Sequence, residues 1–289
     1  MFVHDENMAE RLDREHSLWG LGGFVMGSLT TPNNVSPDFY LNPECTQESQ
    51  ERPTIGDTLY ILNQLSKEQE VGDWSMPVYQ VEWHKQGAIV MGYMGLKDVC
   101  IDWKPFSDDL QYLLSLVGME KSEKEGAKAK MKALVTDKHF QVLSSLEFMP
   151  DYTVDEMQNG KLVFGHQVTT KLEDSKGLEG IKKCMAIDGS YGACGYTNGV
   201  VYLLWDGEKL FQGPSSYGMA DADVFAGGNE LIFPNDKGGV PHYIYSYYSA
   251  VEFGENHEIV QKDSVVTTLE WSPRKGLLSP DTLFQSHLP

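Results

Sequence analysis

Gly192–Pro234 reads GACGYTNGVVYLLWDGEKLFQGPSSYGMADADVFAGGNELIFP. At its centre the apolar run Val200-Val201-Tyr202-Leu203-Leu204-Trp205 meets Asp206-Gly207, and Glu208-Lys209-Leu210-Phe211 leads away. Asp-Gly between two apolar runs signals a hairpin, because a type I′ turn needs positive φ at both central residues. A β-hairpin turning at Asp206-Gly207 is therefore expected. Short apolar runs separated by Gly- and Asn-bearing turns continue in both directions, so the predicted fold is mostly β.

Downstream, Ala222–Phe225, Leu231–Phe233 and Tyr243–Phe253 read as strands. Gly227-Gly228-Asn229 and Asn235–Gly239 read as the turns between them, and Val265–Trp271 closes the run. Upstream, Cys184 and Cys194 sit symmetrically about Gly189 in CMAIDGSYGAC. A hairpin centred there would set them face to face, and the alternative is two buried reduced thiols. Ala127–Ala133 alternates strictly between polar and apolar residues, the pattern of a strand with one exposed face. Asp109–Val117 fits a helix or a strand equally. Residues 104–273 are thus expected to form one larger antiparallel β domain, a sandwich or a propeller-like meander. The absence of an exact repeat counts against the propeller.

The first hundred residues carry a separate pattern. Asp38–Leu41, Ile55–Leu62, Val78–Trp83 and Ala88–Met94 are short β-like runs with Gly-bearing turns, which predict a small barrel over 37–103. Pro105 ends its last strand, placing a domain boundary near Asp102–Ser107. Residues 1–36 are read as a flexible leader and 274–289 as a tail.

Gly56-Asp57-x-Leu59-Tyr60-Ile61, Asp73-Trp74, Tyr79-x-Val81, Gly92-Tyr93-Met94 and Leu96–Val99 resemble the bacterial SH3 domain. The likeness covers about 36–102. It departs from that pattern in the insert Ser66–Val71 and in Gly-Asp-Trp where the family has Gly-Trp. Gly192–Tyr196, Trp205–Leu210, Ala220–Phe225 and Leu231–Gly239 are in turn similar to the C-terminal part of Bacteroidetes-type proteins with an N-terminal SH3-like domain. Such proteins are often exported. The resemblance implies an SH3-like barrel followed by an all-β domain in a periplasmic or extracellular setting, and it brings no activity with it.

Composition narrows the partners. The 289 residues are 41% hydrophobic, enough for a packed core, and carry 23 Lys plus Arg against 42 Asp plus Glu, a formal charge of -19. That field repels nucleic acid and anionic membrane surfaces. The longest apolar runs are too short for a transmembrane segment. The patch Leu18–Met26 lacks a positively charged flank, so no clear signal peptide is read.

Cys194, with His242 or His257 as base, would be a cysteine-peptidase pair, but catalytic thiolates of that kind sit at helix N-termini and Cys194 precedes a strand. Asp221, Asp223 and Asp236 could offer oxygens to calcium, without the acid count of a calcium loop. Zinc, P-loop and serine-hydrolase motifs do not occur. Trp74, Tyr79, Trp83, Tyr93 and Trp103 concentrate on the small barrel and could line a groove for a peptide or glycan, or fill the barrel's core. The expectation is a non-catalytic envelope protein that binds a peptide, glycan or protein partner. A cell-wall hydrolase using Cys194 is the alternative.

Overall fold

The computed structural model describes residues 23–25, 38–71, 74–95, 98–100, 102–120, 129–150, 156–158, 161–163, 169–192, 195–221, 224–254, 258–273 and 276–278. These are nearly all β, with antiparallel strands and no α-helix among them. The chain divides into two compact units, Met1–Met149 with Asp155–Phe164, and Pro150–Val154 with Gly165–Pro289.

The first unit holds β1 (Gly23–Val25), β2 (Thr58–Val71), β3 (Trp74–Lys85), β4 (Ala88–Gly95), β5 (Val99–Cys100), β6 (Asp102–Pro105), β7 (Leu110–Glu120), β8 (Ala129–Asp137) and β9 (Val142–Phe148). They form one nine-stranded sheet in the order β5-β1-β2-β3-β7-β8-β9, with β4 added to β3 and β6 to β7. That order is an open path, so the expected barrel over 37–103 is not closed among the described residues. Nor does the chain divide at 103. Asp102–Pro105 pairs with Leu114–Gln111, and β7 in turn meets β3. Pro105 is tolerated because β6 pairs only with β7, leaving its missing N–H at an edge. The ambiguous run Asp109–Val117 is strand. β10 (Glu156–Gln158) and β11 (Lys161–Val163) form a separate hairpin bracketing Asn159-Gly160.

The strictly alternating stretch in β8 departs from its pattern in a telling way. Met131, Ala133 and Val135 are buried, as alternation demands, but Lys132, Leu134 and Thr136 are buried too. Both faces of this strand are covered, which no single-strand pattern announces.

The second unit is a meander of β12 (Thr169–Glu173), β13 (Lys183–Gly192), β14 (Gly195–Trp205), β15 (Leu210–Asp221), β16 (Phe225–Ile232), β17 (Tyr243–Phe253), β18 (Ile259–Ser272) and β19 (Gly276–Leu278), paired in chain order. The central hairpin is present, but its loop is longer than a type I′ turn. Trp205 pairs with Leu210, and Asp206 N–H donates to the Lys209 carbonyl at 3.3 Å. Gly207 has a positive φ (111°) and Asp206 does not. The Asp206 carboxylate instead accepts the Glu208 and Lys209 N–H groups, each at 2.7 Å. Nor does the chain turn at Gly189: β13 runs through it, paired Gly189↔Gly199, and Cys184 lies opposite Leu204.

The core of this unit gathers at one end of the meander. Cys184, Leu204, Phe233, Ile244 and Trp271 are buried together with Leu178 and Ile181 of the β12–β13 loop. Trp271 Nε1 donates to the Glu179 carbonyl at 2.8 Å, which ties that loop over the core. The composition of the strands explains the polarity. Their core ends read CMAI, YLLW, ELIF and TLEW, whereas their far ends read GSYG, GYTNG, SSYG, FAGGN and SYYSA. Apolar area is worth about 25 cal/mol per Å² on burial, so the core forms where that area is and the small, polar ends extend beyond it.

Candidate functional site

The far half of the eight-stranded sheet carries a groove of about 530 Å³. Its floor is one row of paired residues crossing four strands: Asn198↔Gly218, Gly218↔Gly228 and Gly228↔Ser249. Alternation puts Val200, Ser216, Glu230 and Tyr247 on the same face to one side of that row, and Ala220, Ala226 and Val251 to the other. All of these line the groove.

Two features hollow it out. First, the floor lacks side chains at Gly218 and Gly228. The strands come so close that a Cβ at 228 would stand 2.3 Å from the Tyr217 carbonyl oxygen. Only glycine permits that approach. Second, β15 and β16 part at this point: their ladder ends at Tyr217↔Asn229, while β16 continues beside β17. On the opposite face Asn229 holds the fork. Its Oδ1 accepts from Tyr217 N–H at 2.7 Å, and its Nδ2 donates to the Ser215 carbonyl at 3.1 Å and to Ser246 Oγ at 2.9 Å. The side chain thus satisfies backbone groups that β16 no longer reaches. Asn229→Ala is expected to cost about 1.5 kcal/mol, the usual loss when partly buried groups are orphaned, and to speed amide exchange at Tyr217. Unchanged exchange there would show that the fork does not depend on Asn229.

The polar groups around the groove are available. Asn198, Ser216, Glu230, Tyr247 and Ser249 make no side-chain hydrogen bond or ion pair with the described residues. Asn198 Oδ1 lies 2.5 Å from where a Cβ would stand at Gly218, so the amide rests over the glycine floor. Tyr247 is 40% exposed and Glu230 is exposed. Amide, hydroxyl, carboxylate and phenol above a flat floor can bind and orient a ligand. Among the described residues no side chain hydrogen-bonds the Ser216 or Ser249 hydroxyl as a general base would.

A second ionisable cluster lies in the first unit and is closed. Lys132 on β8 pairs across the sheet with Ser115 on one side and Glu147 on the other. Lys132 and Ser115 are buried, as is the Asp98 carboxyl nearby. Lys132 Nζ lies 3.9 Å from Glu147. Burial pushes the Lys132 ammonium down to about 8, against the pull of Glu147 and Asp98. A serine beside a low-pKa lysine has the ingredients of a nucleophile, but with both buried no substrate reaches it.

Of the aromatic residues singled out on the first unit, two do not reach a surface. Tyr79 and Trp83 are 1% and 3% exposed and point inward with Val81, where Phe39 meets the Trp83 ring edge-on at 5.8 Å. Burial raises the Tyr79 phenol well above its ordinary range. Tyr93, paired with Gln80, lies on the opposite face of the strand pair from Tyr79 and Trp83. Trp103 is half-buried and spends its Nε1–H on Gln111 Oε1 at 2.7 Å. Trp74 opens β3, and its side chain is outside the described residues. Of the five, Tyr79 and Trp83 belong to the core.

The calcium set is also dispersed. Asp221 ends β15 and Asp236 follows β16, so the eight residues of β16, about 26 Å of strand, separate them. The Asp236 carboxylate accepts Phe233 N–H at 2.8 Å as a turn cap. Asp223 lies outside the described residues, as do Cys194 and His257. His242 is exposed, 3.5 Å from Glu179. Cys184, the proposed partner of Cys194, is a free thiol in the core, pushed by burial to about 12.

The groove itself was missed because glycines 227 and 228 were read as a turn. The available signal was small residues recurring at matching heights in three successive strands, Asn198-Gly199, Ser216–Gly218 and Ala226–Gly228. Compared with models of known protein families, with curated proteins and with solved structures, the chain matches none.

Proposed function

We propose that this chain is a non-catalytic binding protein whose ligand, a peptide or a glycan, lies in the groove over Gly218 and Gly228. The observation that carries this reading is the set of polar groups, unpartnered among the described residues, around a floor with glycine at its two central positions. Long side chains at Gly218 and Gly228 would fill such a face, and glycine leaves it open there. At about 530 Å³ the groove falls within the range of small-ligand sites. The envelope location belongs to the same proposal and rests on the resemblance alone.

Ser249 sits on the groove floor and is half-buried, so Ser249→Trp fills the groove from within while leaving the core end untouched. Arrays of short peptides and oligosaccharides probed with the native chain and with this variant test the reading. Ligands held by the native chain are expected to lose at least about tenfold in affinity with Ser249→Trp, as when a groove loses its contact area. Equal retention of the same ligands by both proteins would place binding elsewhere.

A further inference from the structure

We propose that the groove takes a lysine side chain of an extended peptide, its ammonium held between the Glu230 carboxylate and the Tyr247 ring. This names the ligand class for the binding reading above and rests on it. Glu230 and Tyr247 are directly opposite each other on β16 and β17, on the groove face, and both are exposed. Glu230 is the ionisable acid among the groove-lining residues, and it has no partner among the described ones. A carboxylate beside an aromatic face recognises an ammonium twice over, by charge and by the ring quadrupole. The formal charge of -19 draws cations toward the surface in the first place.

The dimensions fit a polypeptide. The floor row crosses four strands, three spacings of about 4.8 Å, so it is about 14 Å long. About four extended residues cover that distance. Glycine at both central floor positions lets a peptide backbone lie against the sheet, and the Asn198 amide with the Ser216 and Ser249 hydroxyls can pair its N–H and C=O groups. A neutral glycan would bring Glu230 hydroxyl donors but no opposite charge.

Calorimetric titration of the full chain tests this with two probes, the acetylated and amidated peptide Gly-Ser-Lys-Gly-Ser and the same peptide carrying Nε-acetyl-lysine. The native chain is expected to bind the lysine peptide about tenfold tighter than its neutral twin, the combined yield of one exposed ion pair and one cation–π contact. Glu230→Gln is expected to cut that preference to about threefold, the cation–π share that Tyr247 keeps, and Ser249→Trp to lose both peptides. Equal binding of the two peptides by the native chain, or by neither peptide, overturns the assignment. So does the full tenfold preference surviving in Glu230→Gln, or any lysine preference in Ser249→Trp, because the attraction would then belong to the acidic surface at large. The array comparison decides the groove separately: neutral ligands lost in Ser249→Trp, with no lysine preference in the native chain, leave the groove reading standing and sink only the ammonium site.

Discussion

Gly228→Ala is expected to destabilise the eight-stranded unit by about 3 kcal/mol, the upper part of the range for overpacking. The added Cβ would stand 2.3 Å from the Tyr217 carbonyl oxygen and 2.7 Å from Gly218 Cα. Both are backbone atoms, and moving them means prising β15 from β16 where their ladder is only five pairs long. Gly218→Ala is the matched control. Its Cβ would meet Asn198 Oδ1 at 2.5 Å, the end of a side chain that can rotate away. The control is expected to change stability by under about 1 kcal/mol, because the lower entropy of the unfolded chain offsets the displacement of the amide. Native-state amide exchange of Leu203, Leu204 and Ile244, all in strands that feed the core, reads the stability of this unit by itself. Equal effects of the two substitutions would mean that the close approach at Gly228 is not a constraint.

The second large effect is a pH dependence set by Lys132. Its ammonium titrates near 8 in the folded chain, because burial outweighs Glu147, against an ordinary value of 10.5. Between those two values the unfolded chain binds a proton that the native chain has released. Stability therefore rises with pH across this window, by about 3 kcal/mol in total for one such group. Below pH 8 both states hold the proton and the group adds no slope. Other groups pull the opposite way: burial raises Cys100 and Cys184 to about 12, so the native state retains protons that the unfolded thiols lose above their ordinary value of 9. The difference between the native chain and Lys132→Met cancels them. Denaturant midpoints measured from pH 7 to pH 11 are expected to show the native chain gaining on Lys132→Met above pH 8. Parallel curves would show that Lys132 titrates as an ordinary exposed lysine.

Much of the fold could be read from local pattern, and the site could not. Val200–Trp205 with Leu210–Phe211 announced a hairpin because apolar runs flank Asp-Gly, and the long Tyr-rich strand from Tyr243 was equally plain. Gly227-Gly228-Asn229 was misread because glycine marks turns far more often than it marks a close approach inside a strand. The distinction depends on what lies across the sheet, here the Tyr217 backbone. Of the expected strand Ala222–Phe225, Phe225 opens β16 and Val224 N–H donates to the Asp221 carbonyl at 3.0 Å, while Ala222 and Asp223 lie outside the described residues. Lys132 looked solvent-facing because its neighbours alternate. Its burial depends on a second covered face, information held by residues distant in the chain. Trp83 and Tyr79 looked like a groove because aromatic type does not distinguish core from surface. Gly92 shows which it is: a Cβ there would stand 2.2 Å from the Phe39 ring that packs beside them.

On the proposed function, ligand binding belongs to the far half of the eight-stranded sheet. Amide chemical-shift mapping on the full chain, with the tightest ligand from the arrays, tests it most directly. The expected result is shifts in Ser216–Ala220, Ala226–Glu230 and Tyr247–Val251, with β3 and β4 unmoved. Shifts centred on Gln80 and Tyr93, with the groove amides unchanged, would contradict it and return the binding surface to the first unit.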